Sequence, residues 1–370
     1  MKLSVKTLIS IIFISFITLS ASEHGIYLLA VSNIKGDIGK VGDELKGKLI
    51  SAGYNILSYS DAANPDIVRQ KKDDKCGFNA KLIVLSHNDY TRLVSSKGNQ
   101  YLVASFLRVA IYETPDGIQI NIADPETINR IVFNDLYEKG KKNEYNQIVT
   151  KTKEFKANLL KVIHSVSGGS KVEKPQEPIR NDKDIAESAK DMFMMVGPMT
   201  FFNDEDQFPQ IFSVKNSEGK KGIEKLIEEM KTNLKNFKPS KDDVEYRYVA
   251  NPEVLKWKII SQIYSPDSAA CVLGVTRTQT EGLSFHIAGK KRESSNNKCP
   301  GIDHAAAYPI EVLLIQQDNE LLVYTARQMF RMDMYFWDAG KMAFMNHMSM
   351  PSVLDESLRT ALLGKNYKKD

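Results

Sequence analysis

The chain has 370 residues, 42% of them hydrophobic and 26% charged, which is enough for two cores of ordinary size and excludes a disordered or collagen-like chain. Its formal net charge is +4, and losing Lys2 and Lys6 with the first segment leaves +2. So small a bias excludes an electrostatic argument for nucleic acid or an anionic membrane surface as partner.

The first residues address the compartment. MKLSVK is a short basic start, TLISIIFISFITL an apolar run, and SASEHG a small-residue exit. This is the pattern of a secretory signal peptide over residues 1–22, with cleavage expected between Ser20 and Ser22. The run is short for a span of about 20 residues, and no later run is apolar enough to cross a bilayer. A periplasmic or secreted protein is expected. An odd count of three cysteines then leaves two readings. Cys271 and Cys299 pair, closing a loop of about 28 residues worth about 3 kcal/mol, with Cys76 free; or all three are thiols, with Cys271 buried in a strand.

In chain order, Gly25 to Val31 reads as a buried strand, because it is a short apolar run ended by polar residues. Asp37 is placed to cap a helix whose stripe is Ile38, Val41, Leu45 and Leu49, with Gly53 as its stop. Tyr54–Tyr59 and Lys81–Leu85 read as strands, the second ending at His87-Asn88-Asp89. Phe106 to Asp135 reads as a hairpin turning at Asp116-Gly117, then an Asp-Pro step and a short apolar segment. An amphipathic helix over Tyr145–Val166 closes this unit. Residues 167–186, rich in Gly, Pro and charge, read as a linker between domains at 23–166 and 187–370.

The second half repeats the order. Asp191–Val196 is its expected first strand, Gly222–Phe237 its helix, Val244–Val249 and Ala270–Val275 its next strands. Asn251-Pro252 matches Asn64-Pro65, and Tyr308–Asp338 is a second, altered hairpin unit followed by a helix over Ser352–Leu363.

The pattern of Ile83-Val84-Leu85, Val109–Tyr112, Asp116-Gly117 and Asp124-Pro125 resembles the family known as domain of unknown function 302. The resemblance covers residues 24–166 well and 190–364 loosely. It departs where Leu107-Arg108 stands in place of a frequent Cys and where Ala326-Arg327 replaces Asp-Pro. It implies an α+β fold, here two tandem two-layer α/β sandwich domains with mixed or antiparallel sheets, prone to self-association. It implies no activity.

Candidate sites concentrate in the second half. Read as a strand, Phe330–Asp338 carries Arg331, Asp333 and Tyr335 on one face, with Trp337 continuing it, a face suited to a polar or anionic ligand. Read as a helix, the same segment forms a core stripe through Met332 and Phe336. Met345, His347, Met348 and Met350 offer thioethers and an imidazole of the kind Cu(I) selects, and haem is a variant of that reading. The competing reading is a Met-lined core. His286 and His304 flank Cys299 without a closed zinc spacing. His87 follows a strand end but has no nucleophile at a motif spacing. The absence of phosphate-loop, G-x-S-x-G, H-E-x-x-H and dinucleotide patterns argues against the common enzyme classes. The expectation is an exported, non-enzymatic binding or accessory protein with no cofactor, whose partner is a small molecule or another protein. The alternatives are a copper or haem carrier and a hydrolase or transferase without a recognisable motif.

Overall fold

The computed structural model describes residues 23–69, 71–182, 185, 208–241, 251–345, 347 and 349–367. The leader and the strands expected at Asp191–Val196 and Val244–Val249 lie outside the described residues. The first half runs β1 (Tyr27–Ile34), α1 (Ile38–Ser51), β2 (Asn55–Ala62), β3 (Ala80–Ser86), α2 (Asn88–Ser95), β4 (Leu107–Thr114), β5 (Gly117–Ala123), α3 (Pro125–Val132), α4 (Lys142–Ile163) and β6 (Ser170–Pro175). The second runs β7 (Gln210–Lys215), α5 (Lys220–Asn236), β8 (Lys258–Tyr264), β9 (Ala270–Thr276), α6 (Thr278–Gly289), β10 (Ile310–Gln317), β11 (Glu320–Thr325), α7 (Gln328–Tyr335) and α8 (Met350–Leu363).

Local chemistry explains the elements. The Asp37 carboxylate accepts from the Lys40 amide at 2.9 Å and caps α1, whose stripe Ile38, Val41, Leu45 and Leu49 is buried. Gly117 has φ +130° in the β4–β5 turn, and a Cβ there would lie 2.8 Å from the Ile34 carbonyl oxygen, so only glycine fits. Asp124 accepts from the Glu126 amide at 2.9 Å and Pro125 opens α3, so the Asp-Pro step is a helix start.

The fold is α+β with antiparallel sheets. The first sheet has the order β2-β3-β4-β5-β1-β6 and the second β8-β9-β10-β11-β7, with every neighbouring pair antiparallel. Five strands correspond place for place, β1 to β7 and β2 through β5 to β8 through β11.

Several expectations need correction. Ser170–Pro175, read as linker, pairs with β1 as the edge strand β6, and Arg180–Asn181 pairs with Glu23–His24. Alternating main-chain bonds need no apolar side chains at a sheet edge, which is why a polar stretch pairs there. The strand at the topological place of β1 is Gln210–Lys215. Asn64 and Asn251 each cap a turn by accepting from the amide two residues on, at 3.0 Å. Yet the first follows β2 and the second precedes β8, so they are not counterparts. The disulfide joins Cys76 to Cys299 across the two halves, and Cys271 is a buried thiol in β9. Cys271 points into the sheet's packed interior, where burial pushes its thiol up to about 12 and no second sulfur is in reach.

The halves interlock. The helical turn Asn99–Ser105, just before β4, lies on β9 and β10; its counterpart Pro300–Ala307, just before β10, lies on β4 and β5. Both faces of β4 and of β10 are therefore covered, and one apolar core continues through both halves.

Candidate binding cleft between the lobes

The β4–β5 register sorts the hairpin's side chains. Val109 lies opposite Ile122, Ile111 opposite Ile120, Ala110 opposite Asn121, and Tyr112 opposite Gln119. One face is thus apolar and belongs to the first lobe. The other carries Arg108, Tyr112, Gln119 and Asn121 toward the second lobe.

Deepest on that polar face, Arg108 pairs with Glu311 of β10. Arg331 of α7 reaches the same carboxylate through Nε at 3.0 Å, and the Tyr335 hydroxyl donates to it at 3.0 Å. Arg331 also donates to the carbonyls of Ala307 and, at 3.0 Å, Pro309. Burial works to raise the Glu311 carboxyl, but the two guanidinium groups outweigh it and hold it below its ordinary value. Arg331 and Tyr335 are 2% and 1% exposed, so they brace the Glu311 carboxylate that Arg108 reaches from the first lobe instead of forming an open ligand face. The strand reading of Phe330–Asp338 is corrected accordingly: the segment is mostly the helix α7, because the Arg331 amide bonds back to the Arg327 carbonyl at 3.0 Å and side chains recur at helical spacing. Trp337 is 4% exposed and lies under the Arg180 guanidinium, 4.2 Å from its ring centre. The side chain of Asp333 lies outside the described residues.

His304, fully buried, is enclosed by two carboxylates. Its Nε2 donates to Asp338 Oδ1 at 2.8 Å and its Nδ1 lies 2.7 Å from Asp303 Oδ1. Burial opposes the charge on this ring, but Asp338 and Asp303 outweigh it and raise its pKa to about 9. The ring is therefore an imidazolium at neutral pH, with both nitrogens committed, and cannot act as a general base. Arg292 binds Asp303 through two nitrogens, at 2.6 and 3.0 Å, and reaches Asp338 at 3.4 Å. The first lobe joins through Gln176, whose Nε2 donates to Asp338 at 2.9 Å, and Asn121, whose Nδ2 donates to the Asp303 carbonyl at 2.7 Å.

Beside this cluster lies a cleft of about 580 Å³, walled by Tyr112, Gln119 and the 113–116 turn on one side and by Arg292, Asn296, Asn297 and Asp303 on the other. That volume is within the about 300–1,000 Å³ of ordinary ligand sites. The disulfide half Cys299 is part of the wall. Two buried side chains on the first wall have a polar atom without a protein partner. Among the described residues the Tyr112 hydroxyl has no hydrogen-bond partner, and Gln119 Oε1 has none either but is closed off from solvent. The Gln119 amide is oriented by Thr114: that hydroxyl donates to the Gly117 carbonyl at 2.9 Å, so its oxygen receives Gln119 Nε2 at 3.3 Å.

The other sequence candidates that fall among the described residues have partners of their own. Met350 is fully buried with Leu283, Ile287 and Leu354, as a core filler. His347 donates from Nδ1 to the Ala343 carbonyl at 2.8 Å, as expected one helical turn away. The side chains of Met345 and Met348 lie outside the described residues. Cys299 is disulfide-bonded and His304 is held by carboxylates, so the Cys/His set suggested by the insertion is not assembled. Asp66 completes a cluster with the two bonded sulfurs, but its carboxylate already accepts from the amides of Cys76 and Gly77 at 2.9 and 2.8 Å. His87 caps α2, Nδ1 accepting from the Asp89 amide at 3.2 Å, between the rings of Tyr54 and Phe155. It borders a larger groove of about 970 Å³ between α1 and α4. Arg292, Asp303, Tyr112 and Gln119 were not singled out in the sequence, although the alternation Ile118-Gln119-Ile120-Asn121-Ile122 marks Gln119 and Asn121 as a polar face.

No family model matches the chain, and no curated protein does. A solved structure described as the uncharacterized conserved protein DUF302 from Bacillus stearothermophilus resembles it with a TM-score of 0.28 and 7% identity, covering 38% of this chain and 98% of the other. This is the family that the hairpin resembles in sequence. A likeness of that size carries no argument about fold or function. No described helix is long and apolar enough to cross a membrane.

Proposed function

We propose that the chain is an exported, non-enzymatic binding protein built from two related lobes, each of the domain of unknown function 302 type, and that it takes a small polar ligand in the cleft between them. The observation that carries this reading is Tyr112 of β4, a buried side chain whose hydroxyl has no hydrogen-bond partner among the described residues, on the wall of an open 580 Å³ cleft. The equal strand order of the two sheets supports the tandem relation, and the inter-lobe disulfide suits an oxidising compartment. The His304 imidazolium and the two Arg–carboxylate clusters are committed internally, which favours binding over catalysis.

The test is a thermal-shift screen of small polar compounds against the full chain isolated from an oxidising compartment, repeated on Asn296→Trp. Asn296 is exposed on the rim, so the indole fills the cleft without disturbing the core. Compounds that raise the melting temperature of the natural chain should lose their effect on this variant. A hit that shifts both proteins equally counts against the cleft. Fractionation of expressing cells and the mass of the mature chain check export: cytoplasmic protein that keeps residues 1–22 would refute it.

A further inference from the structure

We propose a second binding site, independent of the cleft: the groove of about 970 Å³ between α1 and α4 takes an uncharged aromatic compound bearing a carbonyl group. Its volume is at the upper end of the about 300–1,000 Å³ of ordinary ligand sites. Tyr54, between α1 and β2, lines this groove. Its side chain is 6% exposed, yet its hydroxyl has no hydrogen-bond partner among the described residues and is not closed off from solvent. Burial pushes the phenol up to about 12, so at neutral pH it keeps a proton to donate. His87 stands edge-on to it, with 5.4 Å between ring centres. Because His87 Nδ1 accepts from the Asp89 amide, the ring proton sits on Nε2, and that N–H is likewise unpartnered among the described residues and open to solvent. Two neighbouring donors without partners call for a ligand that brings an acceptor oxygen.

The rest of the groove suits an apolar, uncharged body. His87 also meets Phe155 of α4 edge to face at 5.5 Å, so the rings of Tyr54, His87 and Phe155 form a run along one part of the lining. Such a run offers edges and faces to a further ring. Of the charged side chains on the walls, Glu44 pairs with Lys48 at 3.4 Å and Asp89 with Arg92, which leaves Asp43 and Lys161, one of each sign. Walls so balanced favour neither a cation nor an anion, and a charged ligand would lose hydration against the rings. Gly47 of α1 points to the same place by a separate route. Glycine inside a helix costs about 1 kcal/mol relative to alanine. Gly42 is required by packing, since a Cβ there would lie 2.2 Å from the Tyr59 hydroxyl, whereas a Cβ at Gly47 would meet nothing within 4 Å. Packing does not require glycine at 47, and its missing side chain keeps the α1 wall of the groove open.

The experiment is a ligand-observed NMR titration of the full, disulfide-bonded chain with acetophenone, ethylbenzene and benzoate, which share a ring and differ in the acceptor and the charge. Acetophenone should bind most tightly. Tyr54→Phe removes only the unpartnered hydroxyl, so it should weaken acetophenone about fivefold, leave ethylbenzene as it was and keep the melting temperature. Gly47→Leu places a good helix former in open space, so it should raise the melting temperature while abolishing acetophenone binding. Asn296→Trp, which blocks the cleft, should leave acetophenone binding unchanged. Ethylbenzene or benzoate binding as tightly as acetophenone, or acetophenone binding indifferent to Tyr54→Phe or to Gly47→Leu, overturns the assignment. Binding that is lost in Asn296→Trp and kept in Gly47→Leu belongs to the cleft, which refutes the groove and favours the cleft reading. If none of these probes binds, the groove assignment falls while the cleft reading stands or falls by its own screen.

Discussion

Glu311 lies between two guanidinium groups and is buried with them, and its energetics are those of a buried charge, not of a surface ion pair. Glu311→Ala would leave Arg108 and Arg331 facing each other without a counter-charge, and we expect a loss of about 3–5 kcal/mol in urea unfolding. Glu311→Gln, which keeps one acceptor, should cost less. His304 gives the pH dependence at this scale. Its folded-state value of about 9 lies above the ordinary 6.5, so the folded protein holds the proton more tightly. That contribution is full below about pH 6.5 and is lost as pH rises through about 9, with a magnitude of about 3 kcal/mol. Unfolding free energies measured across that range should fall with rising pH in the natural chain, and the slope should flatten in His304→Gln.

Among the elements, α7 and α8 meet at Asp355, whose carboxylate accepts from the Gln328 amide at the start of α7 at 3.2 Å. Burial raises this carboxyl to about 6 against the pull of Arg359 and Arg327. Its contribution is full below about pH 3.8 and lost as pH rises through about 6, so near neutrality the folded protein holds an ionised group it disfavours. Asp355→Asn keeps the accepting oxygen and should raise stability near pH 8 by about 1–2 kcal/mol, with little change near pH 4. The disulfide joins elements far apart in sequence, at a separation of 223 positions. Chain entropy sets its worth at about 5 kcal/mol or less, and reduction should lower the unfolding midpoint accordingly. Thiol titration in denaturant should count one free cysteine, and peptide mapping should join Cys76 to Cys299. A free Cys76 would contradict the pairing. That pairing was not legible because spacing within one half suggested a short loop, whereas the partner of Cys299 is brought near only when the lobes dock.

For the whole molecule, the continuous core predicts one cooperative transition. Both tryptophans, Trp257 and Trp337, lie in the second half, while far-ultraviolet dichroism reports both halves. The two signals should therefore trace the same urea curve, and a fluorescence transition separate from the dichroic one would show that the lobes unfold independently.

Periodicity and turn chemistry are local, and the sequence alone determined what depends on them: the stripe and cap of α1, the Asp116-Gly117 hairpin, the Asp-Pro helix start, and the α+β class. Arg331, Tyr335 and Trp337 were recognised as unusual, but their burial was not legible, because polar residues look alike whether they meet water or a counter-charge from another lobe. Tertiary structure alone decided that a polar tail would become an edge strand, that Cys299 would cross to Cys76, and that the polar face of one hairpin would wall a cleft. These outcomes depend on contacts between residues a hundred or more positions apart, and no local pattern carries that information.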